Sequence, residues 1–113
     1  MNSQESTEVV STYNEYLERL DSATRHFSED LEASNFRVIG EVLPAIIEGL
    51  EWVNEAASRF VTLQKVKPEI YQNFQNTITT MGDALENKDY PLLHDVLEYD
   101  LLPIFKEMKV VMN

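Results

Sequence analysis

The sequence predicts an all-α fold: an antiparallel four-helix bundle, up-down-up-down, assembled from two helical hairpins. Three observations predict it. Apolar residues recur in steps of three and four through four successive segments. The breaks between those segments are short and carry turn or capping residues. A turn-and-helix block in the first half returns in the second half at a fixed offset.

Helix 1 is expected from about Glu5 to Ala33. Its stripe is Tyr13, Leu17, Leu20, Thr24, Phe27, Leu31, a heptad pattern interrupted only by Thr24. Glu5 and Glu8 fall in the first turn, where the helix dipole favours negative charge. Ser34-Asn35 is a short break, with Asn35 placed to cap the second helix. Helix 2 is expected from about Phe36 to Gln64, with the stripe Phe36, Ile39, Leu43, Ile46, Leu50, Val53, Ala57, Phe60. Pro44 lies inside that pattern. Because the stripe continues through it, a kink is expected rather than a stop. The alternative starts helix 2 near Val42 and puts Pro44 in its first turn.

Lys65-Val66-Lys67 makes the next turn. Pro68 then opens helix 3, residues 68–87, with Glu69 behind it and the stripe Ile70, Phe74, Ile78, Met81, Leu85. Asn87-Lys88-Asp89 is the last turn, with Asp89 as cap. Helix 4, residues 90–111, shows Leu93, Val96, Leu97, Leu101, Ile104, Met108 and Val111, with Pro103 inside it. The first two helices, at about 28 residues, would each span roughly 42 Å. Helices 3 and 4 are nearer 20 residues, so the longer hairpin is expected to project beyond the shorter.

The repeated block pairs residues 31–43 with 85–97 at an offset of 54, and four of the thirteen pairs are identical. Asn35/Asp89, Phe36/Tyr90, Val38/Leu92, Ile39/Leu93 and Glu41/Asp95 are close matches. Strict capping rules produce similar hairpins without duplication, so duplication and common constraint both remain open.

Composition narrows function more by exclusion than by indication. A chain of 113 residues that is 43% hydrophobic suits one domain with one core, here residues 1–113. Residues 1–4 are expected to lie outside the ordered part. No cysteine is present, which removes disulfides and thiol chemistry and suits a reducing cytoplasm, the expected location. The start of the chain has neither a basic segment nor an apolar core, so no secretory signal is expected. The longest apolar run, Val42 to Ile47, is far short of a membrane span. A net charge of −11 repels nucleic acid and anionic lipid. The expected partner is therefore a protein, by way of a helical or basic segment or a second copy of the chain, and neither nucleic acid nor membrane.

No nucleophile elbow, phosphate loop or acid/base pair with a supporting residue occurs, so no catalytic residue, cofactor or enzymatic activity is expected. The histidines are His26 and His94. His94 and Glu98, four apart with Asp95 beside them, are the one weak metal-ligand pair. Di-iron bundles need Glu-x-x-His on two helices, and none is present. Asp100 maps by the repeat onto Ile46, an inward position, but a phase shift at Pro103 would turn it outward, and outward is expected.

Two surfaces are candidates for a partner. Between Glu69 and Asp83 thirteen residues carry no charge and include Gln72, Asn73, Gln75, Asn76 and Thr80, in a chain that is 26% charged. That face is either an interface, where charge would cost desolvation, or plain neutral surface. The second candidate is a set of apolar residues off the main stripes. Val38, Ala45 and Trp52 form one row and Leu102, Phe105 and Met112 another. A wide stripe absorbs such residues into the core, which is the expectation for Trp52. Leu102 and Phe105 are the expected exposed patch. The partner-surface candidates are thus Leu102, Phe105, Met112, Gln72, Asn76 and Trp52.

The block Ile46-Ile47-Glu48-Gly49-Leu50-Glu51-Trp52-Val53 resembles an "IIEGLEWL" segment, and Ala84 to Tyr90 with Leu97 to Pro103 resembles "ALENKDY…LEYELLP". Together these resemble a family of small acidic all-helical proteins of Gram-positive bacteria, which implies a helical fold and no assigned activity. More loosely, size, acidity and antiparallel helices are similar to flagellar and type III export chaperones, by architecture alone. The functional expectation is a non-enzymatic protein–protein interaction module, chaperone-like, that takes a partner helix in an apolar groove. The alternatives are a self-assembling homodimer and a bundle that holds a metal or small ligand.

Overall fold

Where each helix begins and ends follows from local chemistry, and the departures from periodicity fall at two prolines. A computed structural model describes residues 3–111, with side-chain surroundings from residue 7 onward. The elements are α1 (Ser3–Glu32), α2 (Val38–Glu41), α3 (Leu43–Thr62), α4 (Pro68–Glu86), α5 (Tyr90–Val96), a π turn (Leu97–Leu101) and α6 (Leu102–Glu107). The chain is all-helical, with no strand among the described residues. No helix among them is long and apolar enough to cross a membrane.

The α1 stripe is buried throughout, Thr24 included. The first proline corrects the expected second helix. A kinked helix from Phe36 does not form. One turn, α2, is followed by a break at Val42 (φ −112°), and α3 starts at Leu43 with Pro44 in its first turn, the alternative reading. In a first turn the missing N–H would have had no helical partner, so proline costs nothing there. The rest of the stripe, Leu43 to Phe60, is buried. Phe36, expected inward, is 46% exposed and instead stacks on Tyr90 with ring centroids 5.0 Å apart. Asn35 does not cap α2, which starts without a side-chain cap, whereas Asp89 caps α5 by accepting from the Leu92 N–H at 3.2 Å.

The second proline is accommodated differently. Helical dihedrals run unbroken from α5 into α6, but the turn before Pro103 widens, and the Leu102 N–H reaches back to the Leu97 carbonyl. A π turn adds one residue to a helix. It also relieves the clash of the proline ring with the preceding turn. The extra residue rotates everything beyond it. Leu102 and Phe105, expected exposed, are 3% and 1% accessible and belong to the core. Asp100 faces solvent, as a phase shift at Pro103 predicts. The helix stops at Glu107 rather than near 111, and Val111, expected inward, is 74% exposed.

All three connections between the long helices close with the same hydrogen bonds. Ser34, Gln64 and Lys88 adopt the left-handed conformation, with φ of 63°, 61° and 53°. The N–H of the next residue then bonds five residues back: Asn35 to Asp30, Lys65 to Phe60, Asp89 to Ala84. This satisfies the last helical carbonyls in Schellman fashion. Ser34 and Lys88 are equivalent at the offset of 54, so the repeat extends to backbone geometry. Gln64 lies outside the repeat and does the same, so strict capping accounts for that part of the similarity without duplication.

Around the core, α1 packs on α3 and on the α5–π–α6 segment, and α4 packs on the same two neighbours. The molecule extends over 48 × 23 × 18 Å. Beyond α6 the chain lies as a strap along α1. Tyr13 Oη donates to the Met108 carbonyl at 3.1 Å. The Asn14 side chain takes both backbone groups of Val110, donating to its carbonyl at 2.7 Å and accepting from its N–H at 2.9 Å. Lys109 reaches Glu18 at 2.9 Å. Within this strap the side chains of Met108 and Val110 are buried.

Candidate functional site

The outer faces of α1 and α3 form the main apolar concavity. It encloses about 840 Å³ and is lined by Val9, Tyr13, Trp52, Ala56, Phe60 and Leu63, with charged residues at its rim. Three of these apolar side chains face solvent: Val9 is 50% exposed, Trp52 41% and Leu63 62%. Helical spacing explains the row, since 52, 56, 59 and 63 fall on one face of α3 next to the buried stripe. The expectation that Trp52 would be absorbed into the core is therefore corrected. Its ring lies on Tyr16 (centroids 4.5 Å apart) at the surface, and the buried Tyr13 meets Phe60 at 4.7 Å beneath. Buried Tyr13 has its hydroxyl pushed well above the ordinary tyrosine value by desolvation.

Gly49 permits this arrangement. Mid-helix glycine costs about 1 kcal/mol relative to alanine, so a packing reason is expected. A Cβ there would lie 3.0 Å from Leu20 Cδ1 and 3.1 Å from Tyr16 Oη. The missing side chain thus lets α1 approach α3 and lets Tyr16 lie across to Trp52. Helical phase alone did not single out Val9, Leu63, Tyr16 or Gly49. The glycine inside a strongly periodic helix was the available signal.

The uncharged face of α4 is a shallower surface. Gln72 and Asn76 are exposed and bonded to each other at 3.1 Å. Asn73, Asn76, Thr77 and Thr80 join Tyr99 and Asp100 of the π turn and Pro103 of α6 around a depression of about 370 Å³. Thr77 and Thr80 turn their hydroxyls back to their own helix, bonding the carbonyls of Asn73 and Asn76. Much of this polarity is therefore spent locally. Of the proposed C-terminal row, Leu102 and Phe105 are buried and Met112 lies outside the described residues.

His94 and Glu98 are not brought together as a ligand pair. Glu98 accepts from the buried Ser28 hydroxyl at 2.9 Å. His94 lies between Asp95 at 3.4 Å and Glu32 at 3.9 Å, with a buried Nε2 that makes no hydrogen bond. His26 sits apart on the surface, 3.8 Å from Glu29. No group of three or more potential ligand side chains converges among the described residues.

Comparison with known proteins places the chain in a family. Residues 8–111 match the family described as "Domain of unknown function (DUF8042)", and the chain belongs to it. No curated protein and no solved structure matches the chain.

Proposed function

We propose that this DUF8042 domain is an antiparallel four-helix bundle of two hairpins, acting as a non-enzymatic, chaperone-like interaction module in the cytoplasm. Its partner is a protein that lays the apolar face of a helix into the groove between α1 and α3. The observation that carries the reading is the exposed Val9–Trp52–Leu63 row above the Tyr13 and Phe60 rings. A contiguous apolar surface of this kind, rimmed by charge, is costly to leave in water and marks an interaction site. Trp52 suits the centre of such a contact, because tryptophan supplies a large area with few rotamers to freeze.

Trp52 is also the single tryptophan of the chain, so its fluorescence reports the groove alone. Titration with a helical partner segment should shift its emission to the blue as the indole leaves water. Trp52→Glu and Leu63→Glu should abolish binding while circular dichroism shows an intact helical fold. Unchanged partner binding by both folded variants would refute the proposal.

A further inference from the structure

We infer that the helix taken up by this groove is α3 of a second copy of the chain, so that the α1/α3 face is an antiparallel, two-fold homodimer interface. The inference rests on the reading of the groove as a docking surface and names its occupant.

Charge carries the argument. Each chain has a net charge of −11, so two copies repel unless they meet where local charge cancels. The groove is such a place. Its rim holds Glu8 and Glu55 against Arg59 and Lys65. Along α3 and the turn after it, the signs are segregated. Glu48, Glu51 and Glu55 occupy the first part, and Arg59, Lys65 and Lys67 the second, all of them exposed. No acid interrupts the basic part and no base the acidic part. A helix polarised in this way is complementary to itself when reversed.

A two-fold axis supplies that reversal, because in an isologous contact each residue of one copy meets its counterpart's partner in the other. A register that centres the crossing between Ala57 and Ser58 sets Trp52 over the second copy's Leu63 and Ala56 over the aliphatic stem of its Arg59. Glu55 then lies beside Arg59 of the other copy. Trp52 meets Leu63 and Glu55 meets Arg59 in one arrangement. A strongly basic partner helix fits less well, since Arg59 and Lys65 stand on the rim it would cross. Exposed Tyr99 lacks this balance, since it shares its depression with Asp100 and Glu107 and with no base.

Sedimentation velocity on the full chain, over a range of concentrations, tests the inference. The wild-type protein should show a monomer–dimer equilibrium, and Trp52→Glu should raise the dimer Kd by roughly tenfold or more, the loss expected of a central interface residue. Arg59→Glu alone makes the crossing all acidic, and Glu55→Lys alone makes it all basic. Each should be monomeric, and an equal mixture of the two should form a heterodimer. A folding defect cannot produce that recovery. A wild-type chain that stays monomeric at millimolar concentration would overturn the inference. So would a dimer indifferent to all three substitutions, or single variants that fail to associate when mixed. If the chain is monomeric yet Trp52→Glu abolishes capture of another helical protein, the second copy is excluded and the docking groove stands. If neither test responds to Trp52, both readings fall.

Discussion

Replacing Asn14 by alanine isolates the C-terminal strap. The side chain of Asn14 accepts from the Val110 N–H at 2.9 Å and donates to the Val110 carbonyl at 2.7 Å. Each such bond contributes about 1 kcal/mol net. Both Val110 groups lose their partner in the variant. Val110 is 4% exposed, so water replaces Asn14 only if the strap lifts. Together the two bonds come to about 2 kcal/mol, or on the order of 10 °C in Tm for a domain of this size. The Tyr13 bond and the burial of Met108 remain and hold the chain up to residue 108. Hydrogen exchange should therefore show the Val110 amide opening far more often, with little change in α3 and α4. Thermal unfolding followed by circular dichroism gives the global cost. If Val110 keeps its protection and Tm moves by less than about 1 °C, well under the shift for one lost bond, the strap is not held by Asn14 and the accounting is wrong.

Four further outcomes are expected. Thr24 is fully buried and its hydroxyl makes no hydrogen bond, so Thr24→Val should stabilise the fold by about 1 kcal/mol in chemical denaturation. Lys88→Gly should stabilise by about 0.5–1 kcal/mol in the same assay, because a left-handed residue with φ 53° is strained by its Cβ. Gly49→Leu should destabilise by about 1–3 kcal/mol and disturb the Trp52 emission, since Tyr16 and Leu20 already lie at 3.1 and 3.0 Å from where a Cβ would be. Burial raises the Tyr13 value in the fold above that in the unfolded chain. Its neutral form is the one the fold prefers, so the stability linked to it is full below about pH 10, where the unfolded tyrosine titrates, and is lost progressively as pH rises from there toward the raised folded value. Tyr13→Phe should flatten this alkaline loss relative to wild type while costing about 1 kcal/mol at neutral pH for the bond to Met108. Equal alkaline slopes in the two proteins would show that Tyr13 is not the group responsible.

Periodicity by itself determined that this chain is helical, where α1 and α4 run, and the buried stripes of α1 and α3; of the α4 stripe only Phe74 and Met81 are fully buried, with Ile70, Ile78 and Leu85 half-buried and Thr77 and Ala84 taking the inward places. A helix buries one stripe, and the sequence displays the stripe at α-helical spacing from Tyr13 to Leu31 and from Leu43 to Phe60. Turn positions were legible for the same local reason, since capping depends on a few adjacent residues. The rest was decided where one segment meets another. Leu102 and Phe105 read as surface at a constant 100° per residue, yet one extra residue before Pro103 turns both inward, a choice settled by packing against α1 and α4. Val110 reads as helix, yet it is strap, because Asn14, far away in sequence, satisfies its backbone better than another helical turn would. Trp52 reads as core, yet its indole stays 41% exposed on the outer face of the α1–α3 pair, lying on Tyr16, whose hydroxyl end sits against Gly49. The candidate site was therefore nearly invisible in the sequence. Its floor and its exposure arise from the distance between two helices, a quantity no single helix encodes.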